Sequence, residues 1–262
     1  IFWTNFNGLL LMDYTQHLIL FVIAVIANWF SALAGGGAGL IQLPVLIFMG
    51  LPFSLALATH KVATVALGIG ATARHLKEKH SSIRLLALIS AAGIPGVVLG
   101  AYVIIDIDDR MAEVVLGLLT LALGVYSIVK SDLGLIANPI HRDIKGIVIG
   151  AAGLFVIGIA NGALSAGSGL FVTLWLVYWF GLSYRLAVAH TLIAVGLGWN
   201  ASGAITMTWL AEVKWDWLPA LLCGSFVGGY LGAHSSIMVG SIWIKRCYEL
   251  VTILVAAKLL IG

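Results

Sequence analysis

Two glycine-rich interruptions break an otherwise apolar chain, Gly35-Gly36-Gly37-Ala38-Gly39 in the first half and Ser165-Ala166-Gly167-Ser168-Gly169 in the second. They are severe constraints because the chain reads as a membrane protein. Of its 262 residues, 61% are hydrophobic and 10% charged, against about 25% charged in a soluble domain. Too little polar surface remains to cover a water-facing globule, so lipid must be the solvent. Apolar runs at residues 83–105, 114–129 and 243–261 recur, the last with Lys245, Arg246, Glu249 and Lys258 as its charges. A spanning helix needs roughly 17–25 mostly apolar residues. The alternating ten-residue segments of an outer-membrane barrel are absent. The expected fold class is therefore an all-α integral membrane protein. A helix broken inside a bilayer exposes backbone N–H and C=O groups, which is tolerated only where they are buried in protein or line a cavity.

Other function classes lose support from the same composition. The net charge of +3 is small and scattered, so no nucleic-acid partner is expected. Cys223 and Cys247 lie in apolar segments without metal-ligand spacing and read as packing residues. His17, His75, His80, His141 and His234 form no cluster, so no metal site is expected. No cofactor is expected, and no G-x-x-x-x-G-K-[ST] loop supports an ATP-driven pump. Ala32-Leu33-Ala34 follows an apolar run, but no Lys or Arg precedes that run and the pattern recurs later. It reads as part of a span rather than a signal-peptide cleavage site.

The two halves align with each other. Gly39-Leu40 matches Gly169-Leu170 at an offset of 130, and Gly50-Leu51 matches Gly181-Leu182 at 131. Leu55-Ala56-Leu57-Ala58 matches Leu186-Ala187-Val188-Ala189 at 131, and Gly96…Leu99-Gly100-Ala101 matches Gly228…Leu231-Gly232-Ala233 at 132. Four anchors in order imply an internal repeat. Each half predicts a helix, a glycine break, a short helix and three long helices: about 15–34, 40–49, 52–76, 83–105 and 111–130, then 144–164, 170–180, 183–209, 217–239 and 243–261. The expected organisation is a first transmembrane repeat at 1–130, a cytoplasmic linker at 131–143 and a second repeat at 144–262. Each repeat would hold about three full spans plus a glycine-broken helical hairpin. The pairs Gly96/Gly100, Gly228/Gly232, Gly146/Gly150 and Gly158/Gly162 have the GxxxG spacing that lets membrane helices approach closely.

The positive-inside rule orients the halves oppositely. Arg74, Lys77, Lys79 and Arg84 place the first long loop inside, as do Lys130, Arg142 and Lys145 for the linker. Asp106, Asp108, Asp109 and Arg110 fit an outside loop; Glu212, Lys214 and Asp216 are nearly balanced, and Lys245 with Arg246 return inside. The repeats are then inverted, with both ends of the chain outside.

A ten-residue helix covers roughly 15 Å, half of a ~30 Å hydrocarbon core. If Gly50-Leu51-Pro52 turns at the outer surface, Gly35, Gly36, Gly37 and Gly39 lie near the midplane. Thr59, His60 and Lys61 then return to that depth, and His190 with Thr191 return to the depth of Gly167, Ser168 and Gly169. The N-termini of both short helices converge there, each with unpaired N–H groups and about half a positive charge. Such an arrangement favours an anion, with Lys61 adding charge and Thr59, Ser168 and Thr191 adding donors. Gln42, Asn161 and Ser165 flank the breaks. Plainer readings stand beside these. The glycines could serve helix crossing alone, Lys61 could snorkel to the interface, and His60 and His190 could be satisfied core residues. Asn161 and Gln42 could simply bond neighbouring helices, the reading favoured for Asn28 and Asn200.

The chain resembles the TauE/SafE family of bacterial membrane proteins, the sulfite exporter and toluene-sulfonate-uptake group. The resembling residues are Gly35-Gly36-Gly37-Ala38-Gly39…Pro44…Gly50-Leu51-Pro52…Ala56-Leu57-Ala58-Thr59, then Gly167-Ser168-Gly169 and Ala187-Val188-Ala189-His190-Thr191. The resemblance implies a multi-pass transporter in the bacterial inner membrane, moving a small sulfur-containing oxyanion such as sulfite, a sulfonate or sulfoacetate. Lys61 has Leu192 as its repeat counterpart and Pro44 has Leu174, so any site is asymmetric. The leading expectation is secondary transport by alternating access with the lipid bilayer as partner, not an enzyme. An inside-negative potential drives monoanion export; uptake would need a coupled proton, with His60 or His190 as its carrier. Two alternatives remain open: an intramembrane serine hydrolase using Ser168 and His190, and a passive anion channel of the same fold.

Overall fold

The computed structural model describes residues 2–78, 82–103, 109–129, 134–165 and 167–261, and all regular structure among them is helical. The helices are α1 (Phe2–Ala34), α2 (Gly39–Phe48), α3 (Phe53–His75), α4 (Ile83–Val103) and α5 (Asp109–Val129). They continue with α6 (Ile144–Leu164), α7 (Ser168–Tyr178), α8 (Tyr184–Ile193), α9 (Asn200–Leu210) and α10 (Leu218–Ile261). Five stretches among the described residues are long and apolar enough to cross a bilayer: Tyr14–Ala34, Phe53–Glu78, Ile83–Val103, Ile144–Leu164 and Tyr184–Leu210. α2 and α7, with 10 and 11 residues, reach only about half of a ~30 Å core.

Local chemistry sets the ends of the short helices. After α2 the chain reverses at Gly50 (φ +96°), and after α7 at Gly181 (φ +68°), the left-handed conformation that commonly closes a helix. Pro52 and Ser183 then stand as extended residues before α3 and α8, and the Ser183 hydroxyl accepts the Leu186 N–H (3.4 Å). Two features depart from the predicted helices. The segment Ala194–Trp199 between α8 and α9 is a π-helical turn inside one continuous rod. α10 includes a sharp break at Gly240 (φ +74°, ψ 170°), so the two last spans expected from sequence follow each other directly.

Close helix crossings hold the bundle. α4 packs on α6 through Gly96 and Gly100 from one side and Gly158 and Gly162 from the other. A Cβ on Gly158 would sit 2.5 Å from the Gly93 carbonyl oxygen. α10 packs on α1 in the same manner, and a Cβ on Gly224 would meet the Phe21 carbonyl at 2.6 Å. Backbones this close gain dispersion contacts that larger side chains would prevent. Gly146 and Gly150 do something else. Their carbonyls accept the indole N–H groups of Trp179 (2.9 Å) and Trp175 (3.1 Å), and Gly150 makes room for the Phe180 ring.

Contacts among the helix ends fall into two sets. His17 Nε2 meets the Asp216 carbonyl (2.8 Å), Arg110 donates to the Leu260 carbonyl (2.8 Å), and the Lys258 ammonium lies over the Phe48 ring. In the same loop Lys214 pairs with Asp216 and holds its carboxyl below the usual carboxylate range. At the other end, the Asn138 N–H donates to the Gly181 carbonyl (2.8 Å) and the Tyr184 N–H to the Gly134 carbonyl (2.8 Å). Arg74 bonds His234 (3.0 Å) there, and Glu78 pairs with Arg74 (2.9 Å) and Arg185 (3.6 Å). A buried pair, Lys245 with Glu249 (3.2 Å), ties the second arm of α10 to α5, because Lys245 also donates to the Ser127 carbonyl.

The crossings predict a graded response to added side chains. Gly100→Val drives its Cβ into the Ile159 carbonyl and should destabilise by about 1–3 kcal/mol. Gly198→Ala meets only Ser90 Oγ, at 3.5 Å, and should leave thermal stability in detergent nearly unchanged. Equal melting temperatures for the two variants would contradict the packing described.

Candidate functional site

The two glycine breaks meet. A Cβ on Gly36 (φ +142°) would sit 2.5 Å from the Gly169 Cα, and one on Gly169 would sit 2.8 Å from the Gly36 Cα. Only residues without a side chain allow this approach, and only glycine tolerates that φ cheaply. α2 and α7 start at this contact, so their first N–H groups, which have no intrahelical partner, are brought together. Gly167 (φ +74°) precedes α7, and Ser165 holds a positive φ of 59°. A non-glycine residue in that region stores strain, and such strain clusters at functional sites.

A cavity of about 40 Å³ opens beside the contact, enough for a small ion or a few waters. Of the residues expected from sequence, Gly36, Gly37, Gly39, His60, Asn161, Ser165, Ser168, Gly169 and Thr191 line it. His60 is 1% exposed, and its Nδ1 has no hydrogen-bond partner among the described residues. A buried unpartnered ring nitrogen costs free energy unless something completes it.

The remaining expected residues surround this wall. The Gly35 carbonyl accepts the Thr173 hydroxyl (2.8 Å), which lies 3.0 Å from Thr191 Oγ1. Gln42 accepts from Asn28 Nδ2 (3.0 Å), which also bonds Ser225 (3.0 Å), so that pair joins α1, α2 and α10. Lys61 is fully buried, and its ammonium donates to the Asn161 carbonyl (2.5 Å) and to Asn161 Oδ1 (2.9 Å). Asn161 Nδ2 donates to Ser168 Oγ (2.7 Å), and Ser168 donates to the Ser165 carbonyl (3.0 Å). Lys61 thus faces the C-terminal end of α6, where the helix dipole favours a cation. From there it fixes Asn161 and Ser168, which do line the cavity. Thr59 and His190 bond loop backbone, at Lys214 and Ser82 respectively. Ser168 and His190 are each committed to other partners.

Several lining residues escaped the sequence analysis: Ser31, Ala38, Thr64, Leu67, Leu192, Val195, Gly196 and Asn200. The repeat offset could have found some of them. Ser31 corresponds to Asn161 and Ala38 to Ser168 at 130, and Thr64 lies one turn beyond His60 on the same face. The π-helical turn that delivers Val195 and Gly196 had no sequence signal; such turns frequently mark functional sites. Among the described lining residues none is a carboxylate, so hydroxyls, amides, one imidazole and two helix N-termini make up the polar wall.

Removing the Lys61 ammonium leaves the buried Asn161 Oδ1 without its donor, while the Asn161 carbonyl keeps the Ser165 N–H (3.0 Å). Lys61→Met should therefore lower stability by about 1–3 kcal/mol, read as a reduced melting temperature. An unchanged melting temperature would show that the Asn161 contact contributes nothing.

Residues 20–259 match the family model described as sulfite exporter TauE/SafE. A probable membrane transporter protein, ORF9, of Sinorhizobium sp. is 28% identical over 95% of both chains. The probable membrane transporter protein YfcA of Escherichia coli K12 is 26% identical over 98% of this chain and 94% of its own. YunE of Bacillus subtilis 168, also named a probable membrane transporter protein, is 23% identical over 94% of this chain and 97% of its own. No solved structure matches the chain. The chain is a multi-pass membrane protein that belongs to the TauE/SafE family of membrane transporters.

Proposed function

We propose that the cavity between the N-termini of α2 and α7 binds a small sulfur-containing oxyanion and that the protein carries it across the bacterial inner membrane by alternating access. One observation carries the reading: a buried His60, whose Nδ1 has no hydrogen-bond partner among the described residues, lines a cavity where two helix N-termini converge. Helix N-termini favour anions through their N–H groups and dipole. Thr191, Ser168 and Asn161 add neutral groups able to hold acceptor oxygens, and Lys61 acts through Asn161. The description of the matched family as sulfite exporters supports a sulfur oxyanion as the cargo.

The two halves are inverted repeats in this proposal, 1–130 and 144–262 joined by the linker 131–143. The cavity lining supports that reading, because it comes in offset pairs: Ser31 with Asn161, Ala38 with Ser168, Gly39 with Gly169, His60 with Thr191 and Thr64 with Val195. The crossing of α4 on α6 is likewise the counterpart of α10 on α1. The two sets of end contacts support opposite orientations, since the apolar span Tyr14–Ala34 of α1 begins at the end that holds residues 211–217 and α6 begins at the other. With the linker end inside, as its basic residues favour, the inside-negative potential helps expel a monoanion by ~2.3 kcal/mol per 100 mV. The proposed direction is therefore export.

Counterflow in proteoliposomes tests the proposal. Radiolabelled sulfite should accumulate transiently against an internal pool and saturate. Thr191→Val should raise the half-saturation concentration by about tenfold, and His60→Ala should abolish uptake in folded protein. Linear, unsaturable flux without counterflow would identify a channel instead, and unchanged kinetics in both variants would remove the cavity from the transport path.

A further inference from the structure

Two hydrogen bonds just outside the cavity wall share one design. The Thr59 hydroxyl on α3 donates to the Leu55 carbonyl (2.7 Å) and accepts the Lys214 backbone N–H (2.9 Å). On α8, His190 Nδ1 meets the Leu186 carbonyl (2.7 Å) and Nε2 accepts the Ser82 backbone N–H (3.0 Å). The pairs 59/190 and 55/186 share the offset of 131, and 82/214 share 132. Each side chain therefore reaches from its own half to a loop of the other half. Each also directly precedes a cavity-lining residue, His60 or Thr191. The Lys214 loop belongs to the end that holds His17 and Asp216, whereas Ser82 comes shortly after Glu78, which pairs with Arg185 at the opposite end.

The two bonds differ in chemistry. Threonine serves both partners with one oxygen and has no protonation change near neutrality. A carbonyl can only accept and an amide N–H can only donate, so the partners of His190 fix the neutral tautomer with hydrogen on Nδ1. A proton added to the ring must go on Nε2, where it faces the Ser82 N–H. Two donors cannot share that bond, so it breaks.

The geometry points to Thr59 and His190 as paired latches that close the two ends of the cavity, with the His190 latch released by protonation. This inference rests on the transport reading above, in which the cavity opens to one side at a time. Opening toward Ser82 takes up one proton from solvent on that side, and closing returns it. The Lys214 side opens without one. Among the described residues, Arg142 from the linker acts on His190, and His190 lies near His75 of α3, which Arg74, Glu78 and Arg185 also surround. Glu78 pairs with both Arg74 and Arg185.

Hydrogen exchange on the purified full chain tests the latches, because each ends on a backbone amide. His titrates between about pH 5 and 8, so exchange is read at both limits and corrected for the intrinsic rate. The Ser82 amide should exchange about tenfold faster at pH 5 than at pH 8, while the Lys214 amide stays unchanged. His190→Gln retains a neutral acceptor and should erase the Ser82 response, which separates His190 from His75. Thr59→Val should free the Lys214 amide at both pH values. Equal Ser82 protection at both limits in the unmodified chain would overturn the inference, whether or not His190→Gln folds. A response that persists unchanged in folded His190→Gln would overturn it too. The measurement needs no substrate, so its outcome is distinct from that of counterflow: latch release without counterflow sinks the transport reading, and counterflow without release sinks the latch.

Discussion

The structure depends on one close contact, the apposition of Gly36 and Gly169 where two helices are broken inside an apolar chain. Lipid offers no hydrogen-bond partner, so an unsatisfied backbone group there costs several kcal/mol. Bringing the breaks together shields both at once. It also aims the starts of α2 and α7 at a common volume. Much of the bundle serves that placement: α4 on α6 and α10 on α1 hold the long helices close enough for the short ones to meet.

Around this contact several polar residues also form a supporting frame. Lys61 closes the C-terminal end of α6 and fixes Asn161, which in turn orients Ser168. Asn28 and Gln42 join α1 to α2, and Thr173 bonds the Gly35 carbonyl. These bonds leave His60 as the lining side chain with a buried ring nitrogen unpartnered. A wall whose other polar groups are largely engaged, with one imidazole held back, is suited to a ligand that completes it.

The helix pattern is legible because lipid imposes long apolar runs and tolerates a glycine break only where its backbone is buried in protein or lines a cavity. The starts of α2 and α7 fell within two residues of expectation for that reason. Depth counting along a helix also placed His60 and Thr191 at the breaks. It could not resolve which face each side chain takes. His190 directly precedes a lining residue, yet it bonds the Ser82 N–H, while Thr191 lines the cavity. Lys61 reads from sequence as a charge for the ligand or a snorkelling side chain, and in the structure Asn161 at the end of α6 holds its ammonium, a contact no spacing rule reveals. Gly146 and Gly150 looked like a helix crossing and instead host tryptophans, because the GxxxG pattern does not specify its partner. The π-helical turn at Ala194–Trp199 had no local signature at all.

The central claim is that the paired helix starts form an anion site, and direct binding to the purified protein tests it most simply. Thermal shift at matched ionic strength would compare sulfite, sulfate, thiosulfate, sulfoacetate and an aryl sulfonate with cations and neutral solutes. A ligand that binds the folded state raises its stability by RT ln(1 + [L]/Kd), about 2.7 kcal/mol at 100 Kd. The account predicts a selective rise with one or a few of the sulfur oxyanions and none with the cations or neutral solutes. Stabilisation by a cation or a neutral solute, with none by any oxyanion, would contradict it.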